Sequence, residues 1–173
     1  NNIIDSLMTP LMITVDYLQK LAKGDIPEGI NAEYHGDYNK IKDSVNTLIA
    51  ALNNATEIAE QISKGNMNNE IKLRSKDDKL MIALETMTNA IKNLVEDAEY
   101  LAKSAVNGEM SVRADETRHY GDFRAIVAGV NRTLDSVMAP VNESVEILKG
   151  MANGDLSHSM IGDYQGDHAI LKN

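Results

Sequence analysis

Histidines and repeated glycine–acid pairs are the residues of this chain with the chemistry of a binding site. Glycine beside an acidic residue occurs in phosphate loops and cation sites, and histidine is a common metal ligand. No glycine cluster follows a strand-like pattern, and no Lys-Ser or Lys-Thr pair follows the glycines, so we predict no phosphate loop. The histidines lack a partner at helical ligand spacing. Solvated or helix-capping roles are therefore predicted for His35, His119, His158 and His168.

Composition points away from a conventional globule and from nucleic-acid-binding proteins. The 173 residues carry a net charge of −9 and include one phenylalanine, no tryptophan and no cysteine. Lys and Arg form no cluster, whereas phosphate backbones and anionic membranes attract concentrated positive charge. Neither partner is predicted. Nothing in the pattern provides a pocket, so we predict no catalytic, cofactor-binding or metal-binding residues.

The sequence contains neither a membrane-spanning run nor a secretory signal. No run of about 18 apolar residues is present. The N-terminal segment lacks the basic start and the apolar centre of a signal peptide. We therefore expect a cytoplasmic location, with any membrane anchor outside this piece. The absence of cysteine is compatible with a reducing compartment.

Apolar residues recur at helical spacing along most of the chain. In one run they step by four, three and four residues through Ile41, Val45, Leu48 and Leu52. Such alternation gives the narrow stripe of a coiled-coil seam, not the wide face of a helix on a globule. The predicted core residues of the resulting bundle are Leu11, Leu18, Val45, Leu48, Leu52, Leu84, Met87, Ile91, Leu94 and Val130.

Glycine breaks interrupt this pattern at regular intervals. They lie at Gly24, Gly65, Gly108 and Gly154, with spacings of 41, 43 and 46 residues. Each glycine is interpreted as the left-handed end of one helix. An apolar residue follows two positions later and is predicted to hold the connector against the helices. The predicted connector anchors are Ile26, Ile30, Met67, Met110 and Leu156.

An acidic residue opens the next helix in three of the four repeats, at Asp37, Asp122 and Asp167. A carboxylate at that position can cap free amides and suits the positive end of the helix dipole. An asparagine follows nine residues later in two repeats, at Asn46 and Asn131. The connector is long enough to let the second helix run parallel to the first.

A longer repeat of 130 residues overlies the glycine breaks. Residues 1–10 match residues 131–140 at five of ten positions, and the same shift maps Gly24 onto Gly154. The chain is therefore interpreted as a piece of a longer array. The predicted divisions are a repeat tail at 1–9 and repeats 1 to 4 at 10–52, 53–94, 95–139 and 140–173, the last truncated in its second helix.

Consecutive repeats are predicted to share continuous helices through Leu52 and Leu94, where no proline or glycine interrupts the stripe. Pro10 and Pro140 are placed at the first position of a helix, with a kink or a change of helical phase beside them. Two helices with one seam each bury too little surface alone. A parallel homodimer with four helices around a shared core is therefore expected.

The opening Pro10-Leu11, the heptad-spaced apolar residues and the segments "GDI" and "GDYNKIKDSVNTL" together resemble a HAMP domain, the signal-relay module of bacterial receptors. Four repetitions in register resemble a poly-HAMP array. The Tyr-x-Gly-Asp connector ends are similar to arrays in methyl-accepting chemotaxis proteins. The resemblance implies an elongated all-α fold, a parallel dimeric four-helix coiled coil.

The resemblance also implies residue roles. Pro10 and Pro140 match the proline that opens the first helix, and the four glycines match the residue that ends it. Asp37, Asp122 and Asp167 match the acidic residue that opens the second helix and influences the signalling state. Repeat 2 departs from this pattern, because Lys76 occupies the acidic position and the connector is two residues shorter. Asp77 and Asp78 are the candidate substitutes.

The function expected from this resemblance is conformational relay in a chemoreceptor, without catalysis. The partners would be a second copy of the chain, the flanking sensor and output domains, and kinase and coupling proteins reached through the output domain. Three alternatives stay open: an array of a histidine kinase or nucleotide cyclase, a passive coiled-coil spacer, and a monomeric helical ligand-binding sensor.

Overall fold

A computed structural model describes the backbone of residues 2–172 and the side chains of residues 8–170. The predicted all-α fold is confirmed, since residues 2–172 contain helices and no strand. The α-helices are α1 (Asn2–Ala22), α2 (Asp37–Ser63), α3 (Lys79–Val106) and α4 (Gly121–Ala152). Two 3₁₀ segments cover Glu116–Arg118 and Gly166–Lys172. No helix among residues 2–172 is both long enough and apolar enough to cross a bilayer.

The chain divides into two compact parts, residues 1–88 and 89–173, and the division falls inside α3. In the first part, the connector between α1 and α2 contributes Ile30 to a core with Val45 and Ile49 of α2. Partly buried residues of α1, α2 and the connector pack against this core: Ile13, Tyr17, Leu21, Ile26, Tyr34 and Ile41.

In the second part, the connector between α3 and α4 contributes the buried Ala114 and His119. Val127 and Asn131 of α4 and Asp97 of α3 are also buried there. This core is therefore more polar than the core of the first part. It holds a carboxylate, an imidazole and an amide, each of which needs a hydrogen-bond partner once it is removed from water.

The four glycines predicted to end helices each lie two residues after the last residue of an α-helix, with φ between 80° and 85°. The Gly24 N–H donates to the Leu21 carbonyl and the Asp25 N–H to the Lys20 carbonyl, both at 3.0 Å. The same two bonds recur at the other three helix ends. This is the Schellman arrangement, which satisfies carbonyls that a helix end leaves free.

Both prolines lie inside helices, which corrects the prediction that they open them. Pro10 is in α1 and Pro140 is in α4, and each helix continues on both sides. Each site has the same kind of local hydrogen bond: Thr14 Oγ1 donates to the Pro10 carbonyl and Ser144 Oγ donates to the Pro140 carbonyl, both at 2.8 Å. An interior proline removes one helical hydrogen bond without ending a helix that is held by packing, and Pro140 is fully buried.

Continuous helices pass through Leu52 and Leu94, which lie well inside α2 and α3. The predicted core stripe, however, is not a core of the single chain. Val45 is buried, whereas Leu48 is 41% exposed and Val130 43% exposed. Leu11, Leu18 and Met87 are likewise exposed, and Leu52, Leu84, Ile91 and Leu94 are half-buried. The buried face of α2 instead consists of Val45, Ile49, Ala51, Ala55, Ile58 and Ile62.

The Schellman ends predict a stability difference between two glycines. Gly108→Ala places a Cβ on a residue with φ of 80°, and we expect a cost of about 1–2 kcal/mol in the free energy of unfolding. Gly129→Ala is the control, since Gly129 lies inside α4 and alanine favours a helix by up to about 1 kcal/mol. Urea unfolding followed by circular dichroism measures both. Equal effects of the two substitutions would contradict the assignment.

Candidate functional site: the connector attachments

The connector of repeat 1 is fastened to α2 by one side-chain amide. Asn46 Oδ1 accepts a hydrogen bond from the Ile30 N–H at 2.7 Å, and Asn46 Nδ2 donates to the Ile30 carbonyl at 3.1 Å. The side chain thus satisfies both polar groups of one connector residue. Gly29 lies against it, since a Cβ at Gly29 would be 3.2 Å from Asn46 Oδ1. A larger residue at position 29 would crowd this bond pair.

Repeat 3 uses the same device. Asn131 Oδ1 accepts from the Ala114 N–H at 3.0 Å, and Asn131 Nδ2 donates to the Ala114 carbonyl at 2.9 Å. Nδ2 also donates to Glu116 Oε1 at 3.1 Å. Arg113 adds a second link to α4 through an ion pair with Asp135, at 2.8 Å. Ile30 and Ala114 each lie six residues after a helix-ending glycine, so the attachment point is equivalent in the two repeats.

The predicted connector anchors differ in burial. Ile30 is buried, and Ile26, Met67 and Met110 are half-buried. Leu156 is 76% exposed, so within this chain it does not anchor its connector. In repeat 4 the Sδ of Met160, six residues after Gly154, lies 3.7 Å from Ser144 Oγ of α4 instead.

The acidic residues at the second helices lie where predicted but do not cap. Asp37 is the first residue of α2 and Asp122 the second residue of α4, and neither helix start has a side-chain capping bond. Gly36 occupies the cap position of α2, and the Asp37 carboxylate pairs with Lys40 Nζ at 2.9 Å. Asp167 is the second residue of the 3₁₀ segment Gly166–Lys172. The acids therefore lie at positive helix ends without closing them.

Asp78 supplies the missing acidic residue of repeat 2. It directly precedes α3, and its Oδ1 accepts from the Met81 N–H at 3.4 Å, which is the geometry of an N-cap. Arg74 binds the same carboxylate from the connector, with Nε at 2.6 Å from Oδ2 and Nη2 at 2.5 Å from Oδ1. The side-chain bonds from Arg74 hold the pKa of Asp78 well below its ordinary range, although burial opposes this shift.

One histidine contradicts the prediction of solvated or capping roles. The His119 side chain is 1% exposed, and its Nε2 lies 2.5 Å from Asp97 Oδ2 of α3. Its burial depends on a partner 22 residues earlier, which the local spacing does not reveal. His35 and His158 are exposed, and His158 Nδ1 lies 3.1 Å from Asp155 Oδ2. His168 is half-buried.

The site as a whole is a set of attachments and not a reaction centre. Among the described residues, no group of three His, Asp or Glu side chains is placed to hold a metal ion. The bond pairs of Asn46 and Asn131 and the pairing of His119 with Asp97 each join a connector to an adjacent helix, and Arg74 joins its connector to Asp78 at the start of α3. The arrangement is suited to fixing, or releasing, the path of a connector between two helices.

Comparison with protein families gives these repeats a name. The family description that matches is "HAMP domain", over residues 1–54 and 118–173, which together make up more than half of the chain. The chain belongs to the HAMP domain family. Searches of curated proteins and of solved structures found no match. HAMP domains are signal-relay modules of sensor proteins, so this chain contains such modules.

The HAMP match ends near Leu52 and resumes beside His119. The unmatched stretch, residues 55–117, contains the whole connector of repeat 2, where Arg74 and Asp78 replace the pattern of the other repeats. The residues that sequence reasoning left without a role are Asn46 and Asn131. Their equal spacing from Asp37 and Asp122 was the available signal, and the connector residues they bind are visible only in the fold.

We expect Asn131→Ala to destabilise the second compact part by about 2–3 kcal/mol. The substitution leaves the Ala114 N–H and carbonyl buried without their partner. Asn142→Ala is the matched control on α4, because Asn142 is exposed, and a change within about 0.5 kcal/mol is expected there. Urea unfolding measures both. An equal, small effect for the two variants would show that the amide does not fasten the connector.

Asp78 predicts a pH dependence with a defined sign. A carboxylate whose pKa is lowered by folding stabilises the protein above its unfolded pKa, about 3.9 for Asp, and this stabilisation is lost as pH falls through the lowered value. Wild type is therefore expected to be more stable than Asp78→Asn at pH 7, with the difference shrinking below about pH 4. The neighbouring exposed Asp77, changed to Asn, is the control. A difference that is constant with pH would contradict the prediction.

Proposed function

We propose that this chain is a tandem HAMP array that relays conformational change between the sensor and output domains of a bacterial chemoreceptor. The proposed working form is a parallel homodimer on the cytoplasmic side of the membrane, without catalysis of its own. The observation that carries the proposal is the uncovered apolar stripe. Each compact part has such a stripe of its own: Leu48 lies on α2 in repeat 1 and Val130 on α4 in repeat 3, and both are more than two-fifths exposed.

The stripe is continuous along α4. Val130, Val137, Val141, Val145 and Leu148 are all exposed, and they are separated by seven, four, four and three residues. Such spacing keeps the residues on one side of a helix, where a second helix packs knobs into holes. Burying a Val or Leu side chain is worth about 1.5–3 kcal/mol. A second copy presenting the same stripe supplies an equivalent surface, and a closed dimer satisfies both.

The mechanism follows from continuous helices and fixed connectors. α2 and α3 each contain the second helix of one repeat and the first helix of the next, so a rotation or tilt in one repeat is passed on by a single helix. Seam residues such as Leu48, Leu84 and Met87 would repack, and the connector attachments would favour one packing over another. A relay needs two packings of similar free energy that the sensor end can bias.

The chemoreceptor assignment is supported by the connector ends. Tyr34 to Asp37 and Tyr164 to Asp167 carry the Tyr-x-Gly-Asp pattern that resembles methyl-accepting chemotaxis proteins. The corresponding partners are kinase and coupling proteins, reached through the output domain. The same array in a histidine kinase or a nucleotide cyclase would use identical residues here, so the downstream sequence of the full protein separates these outputs.

Single cysteines test the parallel dimer, since the chain has none of its own. Leu48→Cys places a thiol on the exposed stripe, and a parallel dimer brings it beside its own copy, so oxidation should give a covalent dimer. Ala50→Cys is the control, because Ala50 is exposed on another face of α2. Val45 is unsuitable because it is buried. Equal cross-linking at both positions, or one chain per particle in light scattering, would contradict the proposal.

The relay is tested in the full receptor with the same Leu48→Cys substitution. The rate of cross-linking is compared with and without stimulus of the sensor, and a change of severalfold is expected if the helices repack. An unchanged rate, in a receptor whose output still responds, would identify the array as a passive spacer.

A further inference from the structure

The position eleven residues before each helix-ending glycine has a different residue in every repeat, and in repeats 1, 3 and 4 it faces the connector. Its occupants are Ile13, Asn54, Asp97 and Glu143, which are one aliphatic residue, one amide and two acids. We call this the selector position. The end of the connector lies ten or eleven residues after the same glycine. The selector position and the connector end lie together in repeats 1, 3 and 4.

In repeat 3 the selector is Asp97, whose side chain is 8% exposed. Its Oδ1 accepts from Arg118 Nη1 at 2.8 Å, and its Oδ2 pairs with the buried His119. Arg118 and His119 are the tenth and eleventh residues after Gly108. A single carboxylate on α3 therefore holds two consecutive side chains of the connector.

Other charged groups surround this pair. From α3, Glu96 lies 3.4 Å from Arg118 Nη2. From the connector, Asp115 interacts electrostatically with both Arg118 and His119, and Glu116 is bound by Asn131. Glu96 and Asp115 share Arg118 with Asp97, but Asp97 makes its shortest ion pair and is the partner bonded to His119.

In repeat 4 the selector is Glu143, and it binds the connector in a different way. Its Oε1 accepts from the Ile161 N–H at 2.7 Å and from the Gly162 N–H at 3.3 Å. Its Oε2 accepts from the Tyr164 hydroxyl at 2.5 Å, and this bond raises the pKa of Tyr164. Tyr164 is the tenth residue after Gly154, which is the equivalent of Arg118. One carboxylate again collects the donors of the connector end.

Repeat 1 has the same tyrosine without the acid. Tyr34 is equivalent to Tyr164, and Ile13 is equivalent to Glu143, each by the 130-residue shift. Both side chains pack against the core of Ile30, Val45 and Ile49. The Tyr34 hydroxyl is buried and has no hydrogen-bond partner among the described residues. This connector end is held by apolar contact alone, and it leaves a buried hydroxyl unsatisfied.

Repeat 2 does not use its selector in this way. Asn54 is exposed on α2, and the ion pair of Arg74 with Asp78 ties the connector to the start of the following helix instead. The absence of a selector contact therefore coincides with a substitute attachment.

We propose that the selector residue determines how each connector is held, and that in repeats 3 and 4 it makes the attachment depend on one carboxylate charge, so that these connectors can be released separately from that of repeat 1. An ionised carboxylate accepts several charge-assisted bonds at once, whereas an amide of the same shape offers one acceptor oxygen and two competing donors. The proposal goes beyond the relay function and does not rest on it.

Hydrogen exchange on the full chain, read by mass spectrometry, tests the proposal at both acids. Asp97→Asn is expected to speed exchange in residues 109–120 by about tenfold or more, because it weakens bonds to a charged partner. Glu143→Gln is expected to do the same in residues 155–165. In each variant the connector at 25–36 should keep the wild-type rate, since Ile13 carries no charge.

Matched controls lie on the same helices. Glu99→Gln on α3 and Glu146→Gln on α4 remove exposed acids that do not contact a connector. The proposal is overturned if Asp97→Asn and Glu143→Gln leave their connectors at the wild-type rate, or if they accelerate all three connectors alike, as global unfolding would.

The reverse substitution asks whether the selector is sufficient. Ile13→Glu places a carboxylate opposite Tyr34, as Glu143 is placed opposite Tyr164. A raised Tyr34 pKa is expected in ¹³C NMR titration of labelled tyrosine, relative to Ile13→Gln, and Tyr34→Phe assigns the signal. If the Glu and Gln variants give the same Tyr34 titration in folded protein, the selector idea is wrong. The two charge-removal variants decide the matter independently if Ile13→Glu does not fold.

Discussion

A connector that passes between two helices must satisfy its own peptide groups, and this requirement shapes the whole chain. The extended segments cannot bond to a sheet, because the described residues form none. A helix cannot supply backbone donors or acceptors from its middle, since these are used internally. For the connector groups that are buried from water, side chains on the helices provide the partners. Asn46 and Asn131 do so with both ends of an amide, and Glu143 does so with a carboxylate.

These attachments explain how helices with thin apolar stripes hold their positions. The core of the first compact part is small, and the second contains buried polar groups that pack only because they are paired. Other apolar side chains are exposed, among them Leu48 in the first part and, in the second, Val130 and the valines of α4. The buried contacts fix the connectors, whereas the exposed apolar side chains are the ones that the proposed dimer would bury.

Much of the fold could be predicted because its signals are local. A glycine in the left-handed conformation ends a helix because its own N–H bonds to the carbonyl three residues back and the next N–H bonds to the carbonyl five residues back, so Gly24, Gly65, Gly108 and Gly154 could be found in the sequence alone. The capping role of Asp37 could not be judged in this way, because Gly36 occupies the cap and Lys40 takes the carboxylate. The prolines misled for a related reason. α4 continues through Pro140, whose side chain is fully buried, despite the lost bond.

The candidate site was less predictable because its contacts are distant in sequence. The buried His119 pairs with Asp97, which is 22 residues away in the sequence. The buried Asn131 bonds to Ala114, which is 17 residues away. Periodicity finds which residues share a helical face, but it does not give the path of a connector. For the same reason the exposed Leu156 was indistinguishable from Ile26. Only comparison of equivalent positions in the folded repeats showed that Ile13, Asp97 and Glu143 have one location and different chemistry.

Because α2 is unbroken, the number of residues between two of its features fixes the angle between them around the helix axis. It runs from Asp37 to Ser63 and contains Asn46, which binds one connector, and the turn at Gly65, two residues beyond its end, begins the next connector. Each residue of an α-helix adds about 100° of rotation. Losing one residue between these two features would aim the second connector at a different side of the helix, whereas adding seven would leave it within about 20° of its original direction. The length of the shared helix therefore constrains the sequence as strongly as the identity of any side chain along it.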